Sequence, residues 1–352
     1  MKDILETLER WTDEGTAVAL ASVIERVGAA PRDPGATLGV AATGAVTGGV
    51  TGGCVEPAVI DEARSVLDGS RGRICRYGLS DDSGFDVGLT CGGTIAVAVY
   101  LLDPTLVRPL ADAVRADRAV AVSVRLDEAR FGEQSIVYGR RTDPGHGDAD
   151  RDTTEAAALA LLEAGESGIV ETAAGDLVFV EAYLPRPDLY VFGASDHVAA
   201  VVPLGKSLGY RVTVCDPRKP FLTTQRFPEV DALVDEWPDR FLEHAPIDAR
   251  TAILMMTHDL KFDVPALERA LASSAGFIGA IGSEKTRHDR DSRLRERGIG
   301  DADLARLHAP VGIQIGARTP QEVAVSIAAQ LVEAGATARA KRAASVARAT
   351  VL

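Results

Sequence analysis

The segment Leu189-Tyr-Val-Phe-Gly193-Ala194-Ser195-Asp196-His197-Val198 constrains the fold more than any other stretch of the chain. An apolar run meets a glycine, and a helix-forming run follows at once. A strand that turns this tightly into a helix is how a Rossmann-type parallel sheet begins, because the turn carries the helix N-terminus to the strand's carboxyl end. The alternation then repeats. Further apolar strands are predicted at 211–215, 231–234, 252–256 and 277–281, with helices at about 198–208, 265–272 and 284–297. Nearly continuous apolar strands separated by helices signal a parallel sheet covered on both faces. The C-terminal half therefore reads as a Rossmann-like, doubly wound parallel sheet. A last helix is announced by Thr319, Pro320 and Glu322, which supply a cap hydroxyl, a first-turn proline and the reciprocal carboxylate of a capping box. It is expected to run to about residue 333.

The N-terminal half has a different grain. Leu5, Leu8 and Trp11 fall at helical spacing before Gly15. A strand is expected at 17–26, a helix from Pro57 to about 67, a strand at 94–102, a helix at 109–116 and a strand at 119–126. Residues 143–152 read as a polar loop. A hairpin at 168–183 turns at Ala174-Gly175-Asp176, and Pro185 and Pro187 stiffen a linker. A chain of 352 residues is too long for one core, so the expected organisation is an N-terminal α/β domain at 1–186, the Rossmann-like domain at 187–336 and an Ala/Arg-rich tail at 337–352. The formal net charge of -13 argues against a nucleic-acid partner, which needs a positive footprint. The longest apolar run, near 95–102, is too short to span a bilayer. The charged start is unlike a signal peptide, and the four cysteines form no CxxC pair, so a cytoplasmic protein without structural zinc or a disulfide framework is expected.

Two glycine-rich loops hold the most reactive residues. Gly52-Gly53-Cys54-Val55-Glu56-Pro57 places a thiol just before a predicted helix, where dipole and amides favour a thiolate. Gly88-Leu-Thr-Cys91-Gly92-Gly93 flanks a second thiol with glycines that admit a ligand close to the backbone. Cys54 and Cys91 read either as soft ligands to a metal or its sulfur, or as small residues buried in tight turns. Cys75 and Cys215 read as strand-core residues. In the C-terminal half, Gly193 suits the first glycine of a dinucleotide turn, while Ser195 replaces the second and Asp196 puts negative charge where a pyrophosphate would lie. Asp216 ends the second strand roughly 20 residues on, where a carboxylate can bond ribose hydroxyls. His258 stands at a strand's carboxyl end, as an anion donor, an acid/base, a metal ligand or a partner of Asp259. Ser283 can cap the next helix, whose Lys285, Arg287 and Arg290 form either an anion pocket or a solvated face. Arg318 leads into the last helix and suits either a phosphate or an acidic neighbour. His308 reads as structural, and His197 as a solvent-facing helix residue.

Taken together these segments resemble the xanthine dehydrogenase accessory protein family, XdhC/CoxI. The resemblance rests on Gly-Gly-Cys54-Val-Glu56, Gly88-Leu-Thr-Cys91-Gly-Gly, the turn at Gly193, Met-Thr-His258-Asp, Gly279-Ala-Ile-Gly-Ser283 and Ile315-Gly-Ala-Arg318-Thr-Pro-Gln-Glu322, spread over about 17–335. It implies a cofactor chaperone that binds the molybdenum cofactor, as molybdopterin or its dinucleotide form, assists its sulfuration and inserts it into a molybdenum hydroxylase apoenzyme. Contacts with a cysteine desulfurase are implied as well. On that resemblance Cys54 and Cys91 meet the molybdenum or its sulfur, the glycine loops cradle the pterin phosphate, and the Rossmann-like half holds a nucleotide portion or organises a homodimer. Two other classes stay open. An NAD(P)-dependent oxidoreductase is suggested by the Rossmann-like half and His258, and opposed by Ser195 and Asp196. A non-catalytic adaptor between desulfurase and client is the third.

Overall fold

The structure is a computed structural model that describes residues 1–29, 32–78, 93–139, 153–257 and 259–349, with side chains described as far as residue 338. Two compact units are present: Met1–Pro185 together with Arg342–Leu352, and Arg186–Lys341.

In the first unit, α1 (Leu5–Asp13) buries Leu5, Leu8 and Trp11, the face its spacing predicts. The strands β1 (Val18–Val27), β2 (Thr37–Ala41) and β3 (Val46–Gly48) precede α2 (Glu56–Leu67), and β4 (Arg73–Gly78) and β5 (Thr94–Leu101) follow it. They pair antiparallel in the order β3-β2-β1-β5-β4. Then come α3 (Val107–Arg115), β6 (Val120–Arg125), β7 (Gln134–Tyr138), α4 (Thr153–Ala164), β8 (Gly168–Glu171) and β9 (Leu177–Tyr183), with strands in the order β7-β6-β9-β8. Alternate residues of β1 serve two cores, as a strand's two-residue period dictates. Ala19, Ala21 and Val23 pack with Val59 and Ala63 of α2. Leu20 and Ile24 join Leu8, Trp11, Leu110, Val122 and Phe179. The predicted hairpin is present, with Thr172 and Asp176 closing its turn. In this unit five elements escape the sequence pattern: β2, β3, β4, β7 and α4. The expected loop at 143–152 lies outside the described residues.

The second unit carries β10 (Asp188–Phe192), α5 (Asp196–Ser207), β11 (Arg211–Cys215), β12 (Ala232–Val234), α6 (Pro238–His244), β13 (Ala252–Met255), α7 (Leu260–Ala272), β14 (Phe277–Ala280), α8 (Glu284–Glu296), α9 (Asp301–Leu304), β15 (Leu307–His308) and most of α10 (Pro320–Ala349). Its sheet runs β12-β11-β10-β13-β14-β15, every pair parallel. This is the doubly wound order, with its reversal between β10 and β13. Leu189 and Val191 enter one core and Tyr190 and Phe192 the other, so both faces are covered. Helix α7 starts earlier than Pro265 suggested, because the Asp259 side chain caps it by accepting from the Lys261 amide. The capping box of α10 forms as read: Thr319 Oγ1 accepts from the Glu322 amide at 3.2 Å, and Glu322 accepts from the Thr319 amide at 2.9 Å. The helix runs past residue 333 to Ala349. Among the described residues no helix is long and apolar enough to cross a membrane.

Candidate functional site

In the first unit the chain leaves β3 and wraps around a single carboxylate before entering α2. Glu56 Oε1 accepts from the amides of Val50 (3.2 Å), Thr51 (2.7 Å) and Gly52 (2.7 Å). Its Oε2 accepts from the amides of Gly53 (2.8 Å) and Val55 (3.2 Å) and from the Thr51 hydroxyl (2.6 Å). Successive amides turned inward make an anion nest. Gly52 and Gly53 adopt φ of +105° and +130°, where an L side chain is strained, while a Cβ at either would meet nothing within 4 Å. Backbone conformation, not crowding, requires glycine at both. Partial burial works against the charged Glu56, but the Thr51 hydroxyl and the Gly52 and Thr51 amides outweigh it and hold the carboxyl down at about 2. This corrects one expectation. The amides of Gly52 and Gly53 serve Glu56 rather than standing ready for a phosphate, and Glu56 binds the loop rather than a ligand.

Cys54 sits on the rim of that nest. Its amide donates to Thr51 Oγ1 at 3.2 Å, and its half-buried side chain packs beside the core under α2. Cys91 and Gly92 lie outside the described residues, and Gly93 is buried just before β5. Cys215 is buried in β11, where desolvation pushes its thiol up to about 12, and Cys75 is half-buried in β4. Among the described residues no group of three or more His, Cys, Asp or Glu side chains is placed to hold a metal ion.

In the second unit a cavity of about 360 Å³ opens at the carboxyl ends of β10, β11 and β13, the place where such sheets bind ligands. Gly193, with φ +115°, turns the chain out of β10; a Cβ there would lie 3.1 Å from the Met256 carbonyl oxygen. Ala194 and Ser195 line one wall, Met256 and Thr257 another, with Phe221 and Phe262 between cations from Arg218, Arg226 and Lys261. Ser195 is the N-cap of α5 yet makes no side-chain cap bond, and its buried Oγ has no partner among the described residues. Asp216, the expected ribose acceptor, is 1% exposed and closed off by Arg218, which donates from Nε at 2.9 Å and Nη2 at 2.6 Å. The Asp196 charge that counted against a pyrophosphate is paired with Arg226 at 2.9 Å. The Thr257 hydroxyl donates to Asp263, which also receives Arg290 Nη2 at 2.9 Å. Arg290 is therefore a fully buried structural cation, not part of an anion pocket.

Other sequence candidates lie elsewhere. Ser283 caps α8, accepting from the Thr286 amide at 3.2 Å, and does not line the cavity. Arg318 is exposed, with its amide on Glu322. His258 lies outside the described residues. His308 stacks on Phe277 with ring centroids 4.6 Å apart, a structural role as read. Arg218, Phe221, Arg226 and Lys261 line the cavity without belonging to any motif of the sequence. The signal available was Arg218, two residues beyond the acidic strand end, where an arginine commonly accommodates phosphate.

A parallel six-stranded sheet with a glycine turn after its first strand, preceded by antiparallel sheets backed by helices, defines a two-unit mixed α/β protein with a Rossmann-like C-terminal half. The XdhC Rossmann domain matches residues 189–331, and the XdhC and CoxI family model matches residues 11–78. The chain belongs to the XdhC/CoxI family. It is 24% identical over 333 residues to a Bacillus subtilis protein named as a probable subunit of xanthine dehydrogenase, covering 93% of this chain and 96% of that one. It is 29% identical over 319 residues to the Escherichia coli "Molybdenum cofactor insertion chaperone PaoD", covering 90% and 83%. A crystal structure from Bacillus halodurans, described as a xanthine dehydrogenase, superposes with a TM-score of 0.67 at 25% identity, covering 95% of this chain and 96% of that one.

Proposed function

We propose that this protein is a cytoplasmic chaperone of the molybdenum cofactor that holds its cargo, assists its sulfuration and delivers it to a molybdenum hydroxylase of the xanthine, aldehyde or carbon monoxide dehydrogenase type. The observation that carries this reading is the alignment, over most of both chains, with a relative named as an insertion chaperone. The loop over residues 50–56 supports it physically. A carboxylate locked into five amides fixes the backbone on which Cys54 rides, so the thiol is presented by a rigid element rather than a loose one. Cys54 and Cys91 are the residues assigned to the molybdenum or its terminal sulfur. The crevice beside Gly193 is assigned to the nucleotide portion of a dinucleotide form. A cysteine desulfurase and the apo-hydroxylase are the assigned partners, and self-association as a homodimer belongs to the same reading.

The test is cofactor retention. Protein co-expressed with cofactor biosynthesis is purified and oxidised, and the fluorescence of the released pterin is measured. Wild type is expected to retain pterin, and Cys54→Ser and Cys91→Ser to retain several-fold less. Undiminished pterin in both variants would overturn the thiol assignment. Capture of a desulfurase and a hydroxylase by protein that never holds pterin would instead make it an adaptor.

A further inference from the structure

Each cation lining the crevice of the second unit carries a carboxylate of its own: Arg218 has Asp216, Arg226 has Asp196 and Lys261 has Asp259. The pairs are not equivalent. Asp216 is buried and receives the Arg218 amide at 2.8 Å as well as two guanidinium bonds, so both its oxygens are engaged. Reading a ribose diol through that carboxylate would mean pulling the half-exposed Arg218 off a buried acid. Asp196 is the opposite case, with a side chain 84% exposed that holds Arg226 through one nitrogen. Arg226 is otherwise anchored, donating from Nη1 to the Ala194 carbonyl at 3.0 Å. Its guanidinium stands over Phe221 at 5.9 Å and that of Arg218 over the same ring at 5.2 Å.

The crevice thus offers an aromatic ring flanked by guanidinium groups, beside the first turn of a helix whose N-cap side chain leaves the amides uncapped. Those amides and Arg226 are complementary to phosphate oxygens, and a ring bracketed by arginines suits a planar base. Asp196 does not itself line the crevice, but it holds the Arg226 Nη2 donor that such a phosphate needs. It is already in water, so releasing Arg226 asks little of it.

We infer that this crevice is a phosphate-reading nucleotide subsite in which Arg226 receives the phosphate and Asp196 is a resident carboxylate that the ligand displaces. The inference rests on the reading that the second unit holds the nucleotide portion of the cargo. It specifies that the ligand is recognised by its phosphate and base rather than by its ribose diol. It also makes Asp196 a brake on affinity.

The experiment is calorimetric titration of the full chain with ADP, CDP and GDP and with the matching nucleosides. At least one diphosphate is expected to bind ten times or more tightly than its nucleoside. Asp196→Asn is expected to tighten that binding roughly fivefold, the weight of an exposed ion pair removed from competition. Arg226→Gln is expected to weaken it about tenfold, with Arg226→Lys in between; the melting temperature of each variant shows that it is folded. Diphosphates that bind no better than nucleosides, no binding by either wild type or Asp196→Asn, or an Asp196→Asn protein with unchanged or weaker affinity would each overturn the inference. Pterin retention is measured separately. If pterin is kept while diphosphates ignore residue 196, the subsite fails and the chaperone reading stands. If diphosphates behave as stated and pterin is never kept, the subsite stands and the chaperone reading fails.

Discussion

Replacing Glu56 by glutamine tests how far one carboxylate organises the loop that presents Cys54. Glutamine keeps a carbonyl oxygen that can still accept from Thr51 and Gly52. Its NH2 group then faces the Gly53 and Val55 amides, so donors meet donors, and the Thr51 hydroxyl loses the carboxylate oxygen it donated to. A carboxyl held at about 2 against an ordinary 4.5 corresponds to about 3 kcal/mol before screening. The nest is largely open to water, which reduces this to about 1–2 kcal/mol. For a domain of this size that is a fall in melting temperature of roughly 3–6 °C at pH 7. The pH dependence has a definite sign. The folded pKa is depressed, so the stabilisation is whole above 4.5 and is lost as pH falls from 4.5 towards 2. Scanning calorimetry of wild type and Glu56→Gln should therefore show the full gap at pH 7 and about half of it or less at pH 3, because protonated glutamic acid has lost the same charge. Equal melting temperatures at pH 7, or a gap undiminished at pH 3, would refute the account of the nest.

In the second unit, Arg290→Met strips the buried Asp263 of its cation and should destabilise by about 3–5 kcal/mol, read as a lower denaturant midpoint; an unchanged midpoint would mean the ion pair contributes nothing. Gly193→Ala forces a Cβ against the Met256 carbonyl at a φ that disfavours any L side chain, so a loss of about 1–3 kcal/mol together with weakened diphosphate binding is expected; full binding at wild-type stability would show that the turn tolerates a side chain.

The C-terminal half was legible in sequence because its physics is local. Strands buried on both faces must be apolar throughout, and helix starts carry their own caps, so Leu189–Phe192, Ser283 and Thr319–Glu322 announce themselves. The β2–β3 pair was hidden by glycine: Gly39, Gly44 and Gly48 lower the strand signal, although all of Thr37–Ala41 is buried. Helix α4 was hidden by its evenness, since alanine and leucine around most of its circumference give no polar face to mark a period. At the sites, Gly52, Gly53, Cys54 and Gly193 could be picked out because their neighbours in sequence are their neighbours in space. The partners of Glu56 follow from loop conformation, and those of Asp196 and Asp263 come from residues 30 and 27 positions away, Arg226 and Arg290. Charge placed by tertiary contact leaves no mark on a linear pattern, and for that reason Asp196 read as a repulsive charge and Arg290 as a surface one.

In both candidate sites a carboxylate of the chain itself already holds donors suited to an anion. Glu56 fills the amide nest of the first unit, and Asp196 holds Arg226 in the second. An enzyme gains from a receptor left empty until the transition state fills it, since stabilisation is then spent on the reacting species. A carrier faces a different demand: it must hold cargo and also let go of it, and a receptor with no alternative partner holds too long. An internal carboxylate solves this by keeping the receptor satisfied when cargo leaves, so the free state is stabilised and the bound state is made exchangeable. The two carboxylates differ in the way that division of labour requires. Glu56 is fixed by five amides and a hydroxyl and cannot yield without unmaking the loop, so it serves the scaffold that presents Cys54. Asp196 is held through a single guanidinium nitrogen and can yield to a phosphate. On the chaperone reading proposed above, exchange is expected to be governed from the second unit, and substitution at Asp196 to alter how long a nucleotide stays while leaving the melting behaviour of the first unit untouched.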